Sequence, residues 1–310
     1  MPSRMYPSVG PVLVFLACVL PAFLAAQPLE FPRDEGAHDS DFEVWSLLAH
    51  VDGDSGRALG VVTLFFTGKV SGLKVSGTYH LIADEQAGEW SGARDLVVPL
   101  FGKSERVRGR LDTSFDRSRL VGDTATGRIT STVRTGDTDL ELIFDPEGGA
   151  TDFGRMTVGP DAQQRIYVRA RGPVSGQLEE AGVVEDLSGT GFFQHAWGDS
   201  PTAESAGSIF SVHLDDGTAL VGYHGADSLS LHALSISGPG EEARVLSGFV
   251  AEPTEEERVV GTEEATYPMG WRLRTDGPAG VDLLLETATG GQPVDLLGTR
   301  YWIGRCRGTG

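Results

Sequence analysis

Apolar and polar residues alternate in short runs along this chain, and turn-forming steps cut the runs every eight to twelve positions. Residues 60–66, 75–83, 129–135, 140–145 and 208–214 are rich in Val, Ile, Leu, Thr and Phe, and Asp-Gly, Gly-Asp and Gly-Pro steps separate such runs. Stretches of this composition with a period of two form half-buried strands. No window holds a helical period with caps for more than about two turns. The pattern predicts an all-β protein, a sandwich or barrel of many short strands.

One hairpin can be written out. A two-residue turn at Asp216-Gly217 favours type I′ and pairs Asp215 with Thr218, Val212 with Val221 and Phe210 with Tyr223. One face then carries Phe210, Val212, Leu214, Ala219, Val221 and Tyr223, so Tyr223 points into an apolar interior. Residues 45–51, 52–56 and 58–66 repeat the strand, turn, strand order, and a Gly- and Pro-rich break spans 145–164. Two β domains are therefore expected, at 27–155 and 156–310.

The run from Gly189 to Asp199 contains the most distinctive chemistry. Read as a strand, it puts Phe193, His195 and Trp197 on one face and Phe192, Gln194 and Ala196 on the other. The first face is an aromatic wall with one titratable group. A His and a Trp on a buried strand are ordinarily hydrogen-bonded core residues, so the pair acquires a functional meaning only from its surroundings.

Charge and cysteine content narrow the class. With 44 acidic and 25 basic residues the formal net charge is −19, which repels phosphate backbones and excludes nucleic acid as an expected partner. The Glu-rich run at 252–264 lacks the spacing of a calcium loop and reads as a solvated loop. Arg4, an apolar run from Val9 to Leu24 and the small residues Ala25 and Ala26 follow one another as in a secretory leader. The expectation is export by a leader at 1–26 to the periplasm, cell envelope or extracellular space, with lipidation at Cys18 as the weaker processing route. Cleavage near Ala26 leaves Cys306 as the single thiol, so no internal disulfide forms. No serine has Gly two positions before and after it, no His-Glu-x-x-His is present, and the seven His form no motif with the cysteines. Nucleophile-elbow hydrolases and zinc proteases are excluded, and no metal site is expected.

Five ordered landmarks carry a family resemblance. They are the stretch from Phe31 to His38 followed by Glu43-Val44-Trp45, then Ser188 to Gly198, Leu214 to Gly217, Tyr267 to Trp271, and Tyr301 to Gly304. Together they resemble the carotenoid 1,2-hydratase (hydroxyneurosporene synthase) and AttH-like family, over nearly the whole mature chain. The resemblance implies two tandem lipocalin-like β-barrel or barrel-like sandwich domains, and a last strand beyond Cys306 that this chain is too short to supply in full. It implies addition of water to an isoprenoid double bond without a cofactor, and it carries His195, Trp197 and Tyr223 onto catalytic positions. The family's acids at two points are replaced here by Gln194 and Gly225, with Asp227 displaced by two residues.

Those replacements bear on the chemistry. Hydration of an unactivated alkene begins with protonation of carbon, which needs a general acid kept protonated in a dry site. An aromatic face such as Trp197 or Phe193 stabilises the resulting cation, and water attacks while a base such as His195 takes its proton. Asp227 is the expected donor if the strand bulges near it. The expected catalytic set is thus His195, Trp197, Tyr223 and Asp227, with Trp45, Phe193, Trp271 and Glu43 contacting the ligand. The partner is a hydrophobic small molecule, isoprenoid or lipid-like, with peripheral membrane contact. A lipocalin-like carrier whose cavity is lined by Trp45, Phe193, Trp197, Tyr223 and Trp271 is the competing reading.

Overall fold

The computed structural model describes residues 28–310 apart from 71, 99–101, 160–161, 201–206, 226–231, 260–264, 276–279, 289–291, 297–298 and 304–305. The expected leader and Asp227 lie outside the described residues. A single 3-10 turn, Arg33–Glu35, precedes a structure built from strands. The first sheet contains β1 (Phe42–Gly53), β2 (Ala58–Val70), β3 (Leu73–Asp84), β4 (Glu89–Val97), β5 (Ser104–Arg106), β6 (Asp112–Phe115), β7 (Ser118–Gly122), β8 (Ile129–Thr135), β9 (Thr138–Phe144), β10 (Thr151–Gly159), β11 (Ala162–Glu180) and β12 (Val183–Gly198). Its order is β4-β3-β2-β1-β12-β11-β9-β8-β7-β6-β5, with β10 added beside β11, and it curls into a nearly closed barrel whose end strands are β4 and β5.

Burial follows the predicted alternation where one face meets water. In β8, Ile129, Ser131, Val133 and Thr135 point inward, as do Leu140, Leu142 and Phe144 of β9. The inward residues form one core that includes Trp45, Phe65, Phe144, Tyr167 and Phe193. In β12 the alternation disappears because residues 192–196 are buried without a break. A strand covered on both faces loses its polar side, and the second cover is a further sheet.

That sheet is β13 (Gly207–His213), β14 (Ala219–Gly225), β15 (Ala233–Ser237) and β16 (Arg244–Ser247). Ala219, Val221 and Tyr223 pack against Ile166, Val168, Phe192 and Ala196 on the outer barrel wall. Phe210, Leu220 and Leu234 face the opposite way, onto a third layer of β17 (Val250–Val259), β18 (Ala265–Arg274), β19 (Asp282–Thr287) and the chain-terminal β22 (Cys306–Thr309). Two remaining strands, β20 (Gln292–Leu296) and β21 (Thr299–Ile303), pair with each other. The break foreseen between residues 155 and 156 falls inside β10, and the barrel sheet continues across it to Gly198.

The hairpin register also differs from the two-residue reading. Leu214 N donates to Thr218 O at 2.8 Å, so three residues, Asp215, Asp216 and Gly217, form the loop. Gly217 occupies the left-handed region at φ 82°, the position a three-residue loop reserves for glycine. Val212 therefore pairs with Leu220 and Phe210 with Gly222. This one-residue slip moves Phe210 and Tyr223 onto opposite faces.

Candidate active site

Strand register unites two landmarks about 150 residues apart. Trp45 of β1 lies opposite His195 of β12, and Glu43 lies opposite Trp197. On the other flank β11 sets Tyr167 opposite His195 and Arg165 opposite Trp197. Alternation sends Glu43, Trp45, Tyr167, Phe193, His195 and Trp197 to the interior and Gln194 to the outer wall.

The segment before β1 caps this end of the barrel. Asp34 O accepts from His195 Nδ1 at 3.1 Å and Glu35 O from Trp45 Nε1 at 3.2 Å. The Glu35 carboxylate is ion-paired with Arg169. Asp41 N donates to Gly198 O at 3.0 Å, which ties the end of the cap to β12.

Beneath the cap, Glu43 and His195 are both 0% exposed. Glu43 Oε1 accepts the backbone N–H of His38 at 2.9 Å and lies 2.9 Å from His38 Nδ1 and 3.1 Å from His195 Nε2. Its Oε2 accepts from Arg106 Nη1 at 3.1 Å. Burial by itself would raise the Glu43 carboxyl, but the hydrogen bonds from His195 and His38 outweigh it and hold the group at about 2. Burial pushes His195 below the usual imidazole value, and its hydrogen bond to Glu43 opposes the shift.

Taken together, those directions would leave a bare carboxylate facing an unprotonated Nε2. The acceptors decide the matter. Nδ1 faces a carbonyl, which only accepts, and Nε2 faces a carboxylate oxygen, so either neutral tautomer sets a lone pair against an oxygen. One more proton, on the ring or on Oε1, satisfies both contacts. The contacts at Nδ1 and Nε2 thus favour an added proton shared between Nε2 and Oε1, against the lowering of His195 by burial.

Aromatic rings surround the His195 ring. Trp45 stacks on His195 with centroids 4.8 Å apart, Trp197 lies tilted at 4.7 Å, and Tyr167 stands edge-on at 5.5 Å. His38 stacks on Trp197 at 4.0 Å. The Tyr167 hydroxyl is buried and makes no hydrogen bond among the described residues, and burial raises its pKa well above the ordinary phenol value. A cavity of about 430 Å³ opens alongside, with His38 and Arg106 in its wall. His38 is therefore the member of the trio that touches both the cavity and Glu43.

Metal-ligating atoms of His38, Glu43 and His195 lie within 4.8 Å of one another, a donor set of the kind that holds a divalent cation. Arg106, 3.1 Å from Oε2, opposes a cation there by charge.

The sequence-predicted residues divide among three places. His195, Trp197, Trp45, Phe193 and Glu43 share the barrel end. Tyr223 lies beyond the barrel wall, edge-on to Phe153 at 4.8 Å. Trp271 packs against Phe210 at 5.1 Å in the third layer. The five aromatics expected to line one space thus belong to separate cores, and a carboxylate at position 194 would face the outer wall, away from His195. His38, Arg106, Tyr167 and Arg169 join the site without having been expected there from the sequence. The alternation Arg165, Tyr167, Arg169 was a visible signal for part of this set, whereas the three residues of β5 are too few to show a period.

A nearly closed antiparallel barrel, capped at one end over a carboxylate–imidazole pair and covered by further β layers, defines an all-β barrel protein. The AttH-like family model matches residues 22–310, and the chain belongs to that family. An AttH protein from Nitrosomonas europaea, known from a crystal structure, is similar over 95% of this chain and 94% of its own, with 23% identity and a TM-score of 0.77. Kievitone hydratase from Nectria haematococca is similar over 87% of this chain and 83% of its own, with 14% identity and a TM-score of 0.70. At these identities the likeness establishes the fold. No curated protein matches the chain.

Proposed function

We propose that this protein is a hydratase, adding water to a carbon–carbon double bond of a small molecule of isoprenoid type, and that it acts after export. The observation that carries the reading is the fully buried Glu43–His195 contact, 3.1 Å from Oε1 to Nε2, with His38 on the same oxygen. Gln194 and Gly225 stand where the family resemblance implies acids, and the Glu43–His195 pair is the candidate proton source in their place. Family membership and the likeness to kievitone hydratase favour the same reaction class. The order of Arg4, apolar run and small residues favours export.

In this mechanism His38 donates a proton to one alkene carbon while the π electrons form the new C–H bond. The Glu43–His195 pair reprotonates His38 through the contact at Glu43 Oε1. The adjacent carbon becomes cationic. A water oxygen attacks it, and the proton shed by that water returns to the pair, so H and OH are added with no change in redox state.

Incubation with isoprenoid alkenes in isotopically labelled water tests the reaction. The expected product contains one labelled oxygen, and Glu43→Gln and His195→Ala reduce its formation by about 10²–10⁴-fold, the usual contribution of a general acid or base. Wild-type protein that binds such alkenes tightly yet forms no labelled product would overturn the proposal and leave the carrier reading.

A further inference from the structure

The cavity beside the site has an unexpected lining for a protein of net charge −19. Lys74, Arg106, Arg108 and His38 all face it, against Asp39 as the single acid. It occupies the place where the barrel fails to close: Lys74 and Ser76 come from β3, next to the end strand β4, and Ser104 and Arg106 come from β5, the other end strand. The seam beside the two end strands therefore has three cations along it, Lys74 of β3, Arg106 of β5 and Arg108 just after β5.

Two of these charges, on Lys74 and Arg108, are poorly neutralised. Arg106 is shared with Glu43, and Arg108 reaches Asp39 only at 3.7 Å with both side chains largely in solvent. Lys74 makes no ion pair among the described residues, and its hydrogen-bond partner is the backbone oxygen of Ser40 at 3.4 Å. Partial burial and the adjacent Arg106 lower its pKa, and the pull of Glu43 and Asp39 in the other direction does not cancel them. Ser76 and Ser104, bonded to each other at 3.1 Å, add hydroxyls to the same wall.

We infer that this seam is an oxyanion-binding subsite, in which Lys74 and Arg108, with Arg106 behind them, hold a carboxylate or phosphate group. Such a group lies one side chain from Glu43, because Arg106 and His38 line the cavity and both touch that carboxylate. The binding claim stands on the cavity alone. Its extension, that the hydrated molecule is amphipathic with an anionic group and an apolar alkene arm, rests on the hydratase reading above.

Calorimetry with octanoate, octanol and inorganic phosphate tests the subsite without any turnover, so it can succeed where hydration fails. Octanoate binding at least ten-fold tighter than octanol is expected, together with a ten-fold loss in Lys74→Gln and Arg108→Gln and none in the remote Arg128→Gln. Thermal unfolding of each variant checks that it is folded. Phosphate that binds and displaces octanoate assigns the subsite to oxyanions generally, whereas octanoate binding that phosphate cannot displace assigns it to carboxylates. Equal affinity for octanoate and octanol, or octanoate affinity unchanged in both variants, would overturn the inference.

Discussion

A buried histidine away from the proposed chemistry sets part of the protein's response to acid. His80 of β3 is 1% exposed, its Nδ1 lies 2.5 Å from Thr135 Oγ1, and burial lowers its pKa from 6.5 to about 4. The sign follows from linkage. Above pH 6.5 neither state carries the proton. As pH falls from 6.5 to about 4 the unfolded chain takes up a proton that the folded chain refuses. Stability from this residue is therefore complete above the unfolded value and lost as pH falls through the window. A shift of this size corresponds to about 3 kcal/mol, at 1.36 kcal/mol per unit. Denaturant titrations at several pH values should show wild type losing that amount on acidification, and His80→Gln losing far less. Parallel pH curves for the two proteins would contradict the assignment. Glu43 acts in the same direction at lower pH. Its folded value of about 2 lies below the ordinary 4.5, so its contribution is present above 4.5 and is lost as pH drops toward 2.

At the scale of strands, the barrel wall depends on close backbone approach at a few glycines. A Cβ on Gly189 of β12 would stand 2.0 Å from the His50 carbonyl of β1, whereas one on Gly149 meets nothing within 4 Å. Gly189→Ala is expected to destabilise the protein by roughly 1–3 kcal/mol through overpacking, and Gly149→Ala to change it little. Equal unfolding midpoints for the two variants would refute this. The same strands show what the sequence could reveal. Alternation placed Phe193, His195 and Trp197 together, because a period of two needs no knowledge of the partner strand. It could not show that β1 lies between β2 and β12, which is what sets Glu43 and Trp45 beside His195. That pairing spans about 150 residues and leaves no local trace. The Asp215-Asp216-Gly217 loop misled for a related reason. The same Asp-Gly step serves two-residue and three-residue loops, and the choice between them decides which face Tyr223 occupies.

For the whole molecule, the middle sheet fixes how the halves behave. Its β14 residues turn Val221 and Tyr223 onto the barrel wall and Leu220 onto the third layer, so successive side chains of one strand belong to two cores. A layer anchored on both faces cannot unfold without uncovering each neighbour. Loss of the barrel would expose Val221 and Tyr223, and loss of the middle sheet would expose Ile166, Val168, Phe192 and Ala196. The molecule should therefore unfold as one unit even though its hydrogen-bonded sheets are separate. Phe192, 1% exposed at the junction, provides the test. Phe192→Ala removes a buried ring and is expected to cost about 3–5 kcal/mol. Scanning calorimetry should show one transition in wild type and in the variant, with equal calorimetric and van't Hoff enthalpies, displaced as a whole to lower temperature. If two transitions appeared and only one moved, the barrel and the later layers would be independent folding units, and the shared faces of β14 would contribute contact without cooperativity.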